Sequence, residues 1–229
     1  MMYTESDRIK EAVKMTRKMI EISPNNAQSR FSLAYIYRYT GMNEEAVIET
    51  DKALILDGEN QKFRSCMITY TNAGKYEQAL TVYNNFIESS FTVYQYGYTL
   101  FHMGRRQESI EYFKRSFELD SKGMTRQLSK AMLAFMEGNK DEVKTLMIEL
   151  ESYELKDAEP YYYYAEIYGL INDKPACYRC LIRAIDGGFF NYPLMIRDVF
   201  FDPIRDDSEF QKIIELAKTK HLAFKKELF

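Results

Sequence analysis

An all-α chain built from repeated antiparallel helix pairs follows from three features of the 229-residue sequence. Helix breakers are scarce, with 5 Pro and 10 Gly, which suits helices better than turn-rich β structure. Turn residues recur on a near-constant spacing: Gly41, Gly74, Gly104, Gly138 and Asn172 lie 33, 30, 34 and 34 residues apart. Gly and Asn best tolerate the left-handed backbone at a helix end, so each marks a tight turn inside one unit. Five places beyond each turn stands Ala46, Ala79, Ser109, Val143 or Cys177, and such compact residues let two helices approach closely. A short turn between two helices makes the pair antiparallel.

The elements follow in chain order. Residues 7–22 fit the second helix of a unit, with Ala12, Thr16, Met19 and Pro24 in frame. The apolar stripe of Ile9, Val13, Met15, Met19 and Ile20 wants cover. Residues 1–26 therefore form an N-terminal half-unit or capping helix, or the chain is a piece of a longer protein. A second copy laid on the stripe would give a homodimer through this helix. Residues 27–188 hold five helix pairs. The 30-residue spacing between the second and third turns implies a clipped helix or loop near Ser89 and Ser90. Residues 189–229 form a C-terminal capping segment. Pro193 and Pro203 force short pieces there, and Asp207 or Ser208 opens a long terminal helix carrying Phe210, Ile213, Ile214, Leu216 and Ala217. A solenoid needs such an end piece to cover its last apolar face.

This frame resembles the tetratricopeptide repeat (TPR), a helix–turn–helix unit of about 34 residues. The first helices carry Arg30/Leu33/Ala34/Tyr37, Phe63/Cys66/Met67/Tyr70, Val93/Tyr96/Gly97/Leu100, Gln127/Lys130/Ala131/Ala134 and Tyr161/Tyr164/Ala165/Tyr168. The resemblance covers about residues 7–188 and implies a right-handed α-solenoid, a superhelix of antiparallel pairs. The family's first-helix Trp is replaced throughout, and its closing Pro survives only as Pro24. The C-terminal pieces Gly187-Gly188, Asp202-Pro203-Ile204-Arg205 and Asp207-x-x-Phe210 resemble the ending of many bacterial TPR arrays. Arrays of that kind sit in signalling proteins, beside kinase, cyclase or winged-helix domains.

The resemblance also places a binding face. In the family the first helices line a concave groove, and the matching positions here include Phe31, Tyr35, Arg38, Tyr39, Arg64, Tyr94, Tyr98, Phe101, His102, Phe135, Tyr162, Tyr163 and Glu166. Tyr, Phe and Arg are the residues enriched at binding hot spots. The groove would hold a peptide or a partner-protein segment. Arg38 and Arg64 would fork onto one carboxylate or phosphate. The Lys/Asn/Arg clamp of chaperone adaptors is absent, since Phe31, Tyr35, Ser65, Phe91 and Gln95 stand at its positions. Of the 19 Tyr, Tyr37, Tyr70, Tyr76, Tyr83, Tyr96, Tyr161, Tyr164 and Tyr168 are expected to pack in the scaffold. Tyr3, Tyr112, Tyr153, Tyr178 and Tyr192 fall on neither set.

Other function classes find little support. A net charge of −3 supplies no basic field, so no nucleic-acid partner is expected. No stretch approaches the roughly 20 apolar residues of a membrane span, and residues 1–7 lack the apolar core of a signal peptide. Three cysteines without such a signal suggest free thiols and a cytoplasmic location. Cys177-Tyr178-Arg179-Cys180 has no second half-site and reads as helix packing rather than metal or redox chemistry. No nucleophile motif, phosphate loop or paired histidine motif is present. The expectation is a non-enzymatic interaction module with no catalytic residue, metal or cofactor. The alternative is a regulatory, ligand- or peptide-sensing arm of a larger signalling or transcription-regulatory protein.

Overall fold

The computed structural model describes residues 6–153 and 155–228; Tyr3 and the rest of residues 1–5 lie outside them. The described residues form thirteen α-helices. A single helix α1 (Ser6–Ile22) precedes five pairs: α2 (Ala27–Thr40) with α3 (Asn43–Leu56), α4 (Cys66–Asn72) with α5 (Tyr76–Val82), α6 (Ser90–His102) with α7 (Arg106–Leu119), α8 (Met124–Met136) with α9 (Lys140–Glu151), and α10 (Glu159–Leu170) with α11 (Lys174–Asp186). A one-turn α12 (Tyr192–Met195), a 3-10 stretch (Val199–Ile204) and the long α13 (Ser208–Leu228) follow. Each helix from α1 to α11 packs on its chain neighbour, and first helices also pack on the next first helix, as α2 does on α4 and α4 on α6.

The repeat frame has a direct physical basis. Gly41, Gly74, Gly104, Gly138 and Asn172 all hold positive φ, between 61° and 80°. The compact residues five places on, Ala46, Ala79, Ser109, Val143 and Cys177, are each fully buried at their helix–helix contacts. The shortened repeat is located in α5, which runs for seven residues and gives way to a 3-10 turn (Tyr83–Asn85). The chain restarts at Ser89, whose side chain forms a reciprocal capping box with Thr92.

The C-terminal segment does more than cover the last pair. Residues 189–204 enter the concave side of the superhelix, and α13 then packs along α11 and α12. Its far end reaches back to α1, where Lys10 pairs with Glu227 and Arg17 donates to the Leu228 carbonyl. Ile9, Val13 and Ile20 of the α1 stripe are buried in the chain's own core, with α1 packed mainly on α2, whereas Met15 and Met19 remain 68% and 53% exposed.

Candidate functional site

The expected open groove is an interior. Arg38, Tyr39, Tyr94, Tyr98, Phe101, His102, Tyr162, Tyr163 and Glu166 are buried, and Phe31, Tyr35 and Phe135 are half-buried. Arg64 alone of the set is exposed. Two physical causes close the groove. The superhelix is tight enough for α2 to meet α10 across it, and aromatic residues of the C-terminal segment fill what remains.

The α2–α10 contact is polar at its centre. Arg38 pairs with Glu159 at 2.9 Å, both side chains being shielded from solvent. The same guanidinium donates to the Ser65 carbonyl at 2.9 Å. Tyr39 donates to Asp157 at 2.6 Å, and Tyr35 shares a 2.5 Å hydrogen bond with Tyr39. Arg38 is thus taken by an internal carboxylate, while Arg64 lies over the Phe91 ring at 5.2 Å. The expected fork of Arg38 and Arg64 on one ligand is not formed.

The filling segment is apolar in the middle and hydrogen-bonded at its edges. Phe200 packs on Tyr98, Phe101 and His102. Phe189 sits between Tyr39 and Tyr162. The last carbonyls of a helix lack internal donors, and this segment supplies them. The Phe190 amide donates to the Tyr39 carbonyl at 2.9 Å, Asn191 Nδ2 to that of Arg38 at 2.8 Å, and His221 Nδ1 to that of Thr40 at 2.7 Å. Arg197 donates to the Asn72 carbonyl at the end of α4.

A second polar cluster lies deeper. Tyr98 donates to Glu166 at 2.5 Å, and Tyr162 donates to Asp198 at 2.6 Å. The Phe200 amide also donates to Asp198. Burial, then the neighbouring Asp198 carboxyl, hold Glu166 well above the usual carboxyl range. Burial pushes His102 below the ordinary imidazole value. The hydroxyls of Tyr94, Tyr98, Tyr162 and Tyr163 are all pushed up by burial and stay neutral, and Tyr98 and Tyr162 act as donors.

Cys177 and Cys180 are buried and free. Burial pushes the Cys180 thiol up to about 12. Both side chains pack at helix contacts.

Residues 92–122, which span α6, α7 and their turn, match the tetratricopeptide repeat family. Residues 92–122 thus carry a tetratricopeptide repeat, and the paired antiparallel helices around them have a TPR-like fold. Solved structures agree on the architecture. Similar chains include PilF of Pseudomonas aeruginosa, 18% identical with a TM-score of 0.53 over 77% of this chain and 83% of that one. A TPR protein of Parabacteroides merdae is 18% identical, with a TM-score of 0.50 over 92% of both chains. A chain of the APC/C hetero-tetramer Cut9–Hcn1 is 12% identical, with a TM-score of 0.58 over 96% of this chain and 44% of that one. Among curated proteins none matches. At these identities the likeness is one of fold.

Periodicity also maps Glu159 to the groove face, but it does not reveal Asp157, Asp198 or the phenylalanines Phe189, Phe200 and Phe201 as groove partners. One signal was available. Two Phe-Phe pairs, at 189–190 and 200–201, stand in a Pro-interrupted stretch, and aromatic surface of that size must be buried somewhere. Among the described residues no helix is long and apolar enough to cross a membrane.

Proposed function

We propose that this protein is a non-catalytic, cytoplasmic protein-interaction module whose groove is held shut by its own C-terminal segment. Its partner segment then docks on the outer surface. The observation that carries this reading is the burial of Tyr98 against Phe200 and of Tyr162 against Phe189, with Tyr94 buried behind Tyr98. A cleft of about 550 Å³ lies beside the α2–α3 turn. Met42 and Val47 form part of its apolar wall, and Lys75, Arg197 and Lys225 bring positive charge to it. Glu44 and Glu45 also line it. Apolar walls with a few polar groups are what a short protein segment needs for docking. A photo-crosslinking residue at Ile48 should capture the partner in the native host, and one at Tyr94 should not. Capture from position 94 and not from 48 would return the binding face to the groove.

A second reading is a regulatory arm of a larger signalling protein. It is favoured by the way residues 189–204 lie in the groove, as a bound peptide would. A ligand that displaced them would also move α13. Hydrogen exchange that rises across residues 189–204 when the ligand is added would support this, and unchanged protection would end it.

A further inference from the structure

We infer that His102, Glu166 and Asp198 form a binding site for one divalent transition-metal ion of the zinc type. The three residues come from three separate elements: His102 ends α6, Glu166 lies in the middle of α10, and Asp198 immediately precedes the 3-10 stretch. One ligand atom from each lies within 4.8 Å of the other two. Only a small contraction brings such atoms onto one ion, because tetrahedral zinc holds its N and O ligands at roughly 2.0–2.2 Å.

His102 gives the independent sign of a ligand. Its Nε2 is sealed from solvent and has no hydrogen-bond partner, and the residue as a whole is 8% exposed. A buried polar atom of this kind calls for a partner. The two carboxyl groups accept hydrogen bonds from Tyr98, Tyr162 and the Phe200 amide but have no cation paired with them. Among the described residues, no Lys, Arg or His makes an ion pair with Glu166 or Asp198. Arg197, the nearby cation, turns its guanidinium to the Asn72 carbonyl.

The surroundings already resemble an outer ligand shell. Tyr98 and Tyr162 each donate to one of the carboxylates, which orients the ligands as hydrogen-bonded neighbours do around metal centres. One imidazole and two carboxylates leave a fourth position for water. Donors so few, in a site walled by Phe200 and Tyr98, suit zinc rather than calcium, which takes 6–8 oxygens. The ion would tie α6 and α10 to the segment that fills the groove, and so act as a structural lock.

The test titrates Zn²⁺ into the full chain, freed of metal with a chelator, by calorimetry, with Mg²⁺ and Ca²⁺ as comparisons. One equivalent of Zn²⁺ should bind and raise the melting temperature, and neither alkaline-earth ion should. His102→Gln should weaken Zn²⁺ binding by at least about tenfold, on the scale of losses seen at metal sites, with helical circular dichroism unchanged. Glu166→Gln should do the same. The double substitution Cys177→Ser, Cys180→Ser should leave binding intact. Absence of stoichiometric Zn²⁺ binding by the unmodified chain would overturn the site. So would binding that survives His102→Gln, or binding that disappears with the two cysteines.

Discussion

The Tyr162 hydroxyl lies 2.6 Å from Asp198 Oδ2 and joins the wall of the groove to the segment that fills it. Tyr162 belongs to the fifth first-helix and Asp198 to the C-terminal piece. Hydrogen bonds to charged groups contribute about 1.5–3 kcal/mol. Tyr162→Phe should therefore cost about that much in urea unfolding, and hydrogen exchange at residues 198–201 should quicken before that of α6 or α10.

Stability should fall as pH rises, and Glu166 should be a cause. Its native carboxyl is held well above the ordinary value of 4.5 by burial and by Asp198. Above the ordinary value the unfolded chain has lost this proton and the native chain keeps it. The stability it contributes is complete below the unfolded value and is lost progressively as pH rises toward the native one, by up to about 1.4 kcal/mol per pH unit. Urea titrations in chelator over roughly pH 5–8 should show a slope that Glu166→Gln flattens. Equal slopes in the two proteins would refute this role for Glu166.

The Arg38–Glu159 pair should be costly to break and cheap to replace. Removing one member of a buried pair strands the other and costs about 3–5 kcal/mol. Arg38→Met alone should lose that much. The double substitution Arg38→Met, Glu159→Leu should recover a large part of it, since apolar replacements of similar volume are often neutral. A double-mutant cycle read by thermal unfolding measures the coupling.

At Gly169, α10 lies close against the filling segment. A Cβ at that position would meet the Phe200 carbonyl oxygen and the Phe201 ring, each at 2.9 Å. Gly169→Ala should destabilise by about 1–3 kcal/mol through overpacking. Gly138→Ala is the informative comparison. Nothing lies within 4 Å of a Cβ there, and its cost comes from the backbone alone, at φ +77°. A crystal structure of the Gly169 variant should show residues 198–201 shifted outward.

Phe200 should act as the plug. It is fully buried against Tyr98, Phe101 and His102. Phe200→Ala should cost about 3–5 kcal/mol and should increase binding of a hydrophobic dye, because the aromatic wall behind it becomes accessible.

Much of the architecture could be read in the residues because the signals that set it are local. A left-handed turn residue followed five places later by a compact one fixes each hairpin, and Gly41 with Ala46 or Asn172 with Cys177 shows this without knowledge of distant contacts. The shortened second pair was announced by the turn spacing alone. Helical periodicity also groups Tyr39, Tyr98 and Tyr162 on first-helix faces, and all three are buried in the structure.

What periodicity does not carry is the distance between units four repeats apart, or the path of a segment that is not helical. Tyr39 meets Asp157 and Arg38 meets Glu159 only because the superhelix closes tightly enough. Phe200 reaches Tyr98 only because the C-terminal chain turns inward rather than continuing the stack. Those long-range contacts converted a face expected to greet a partner into an interior. They also explain the tyrosines. Tyr39, Tyr98 and Tyr162 supply aromatic bulk to that interior and, through their hydroxyls, donors to the acids Asp157, Glu166 and Asp198 that tertiary closure buries. Helix pairing was settled by neighbours along the chain. The fate of the groove was settled by residues more than 30 positions apart meeting in space.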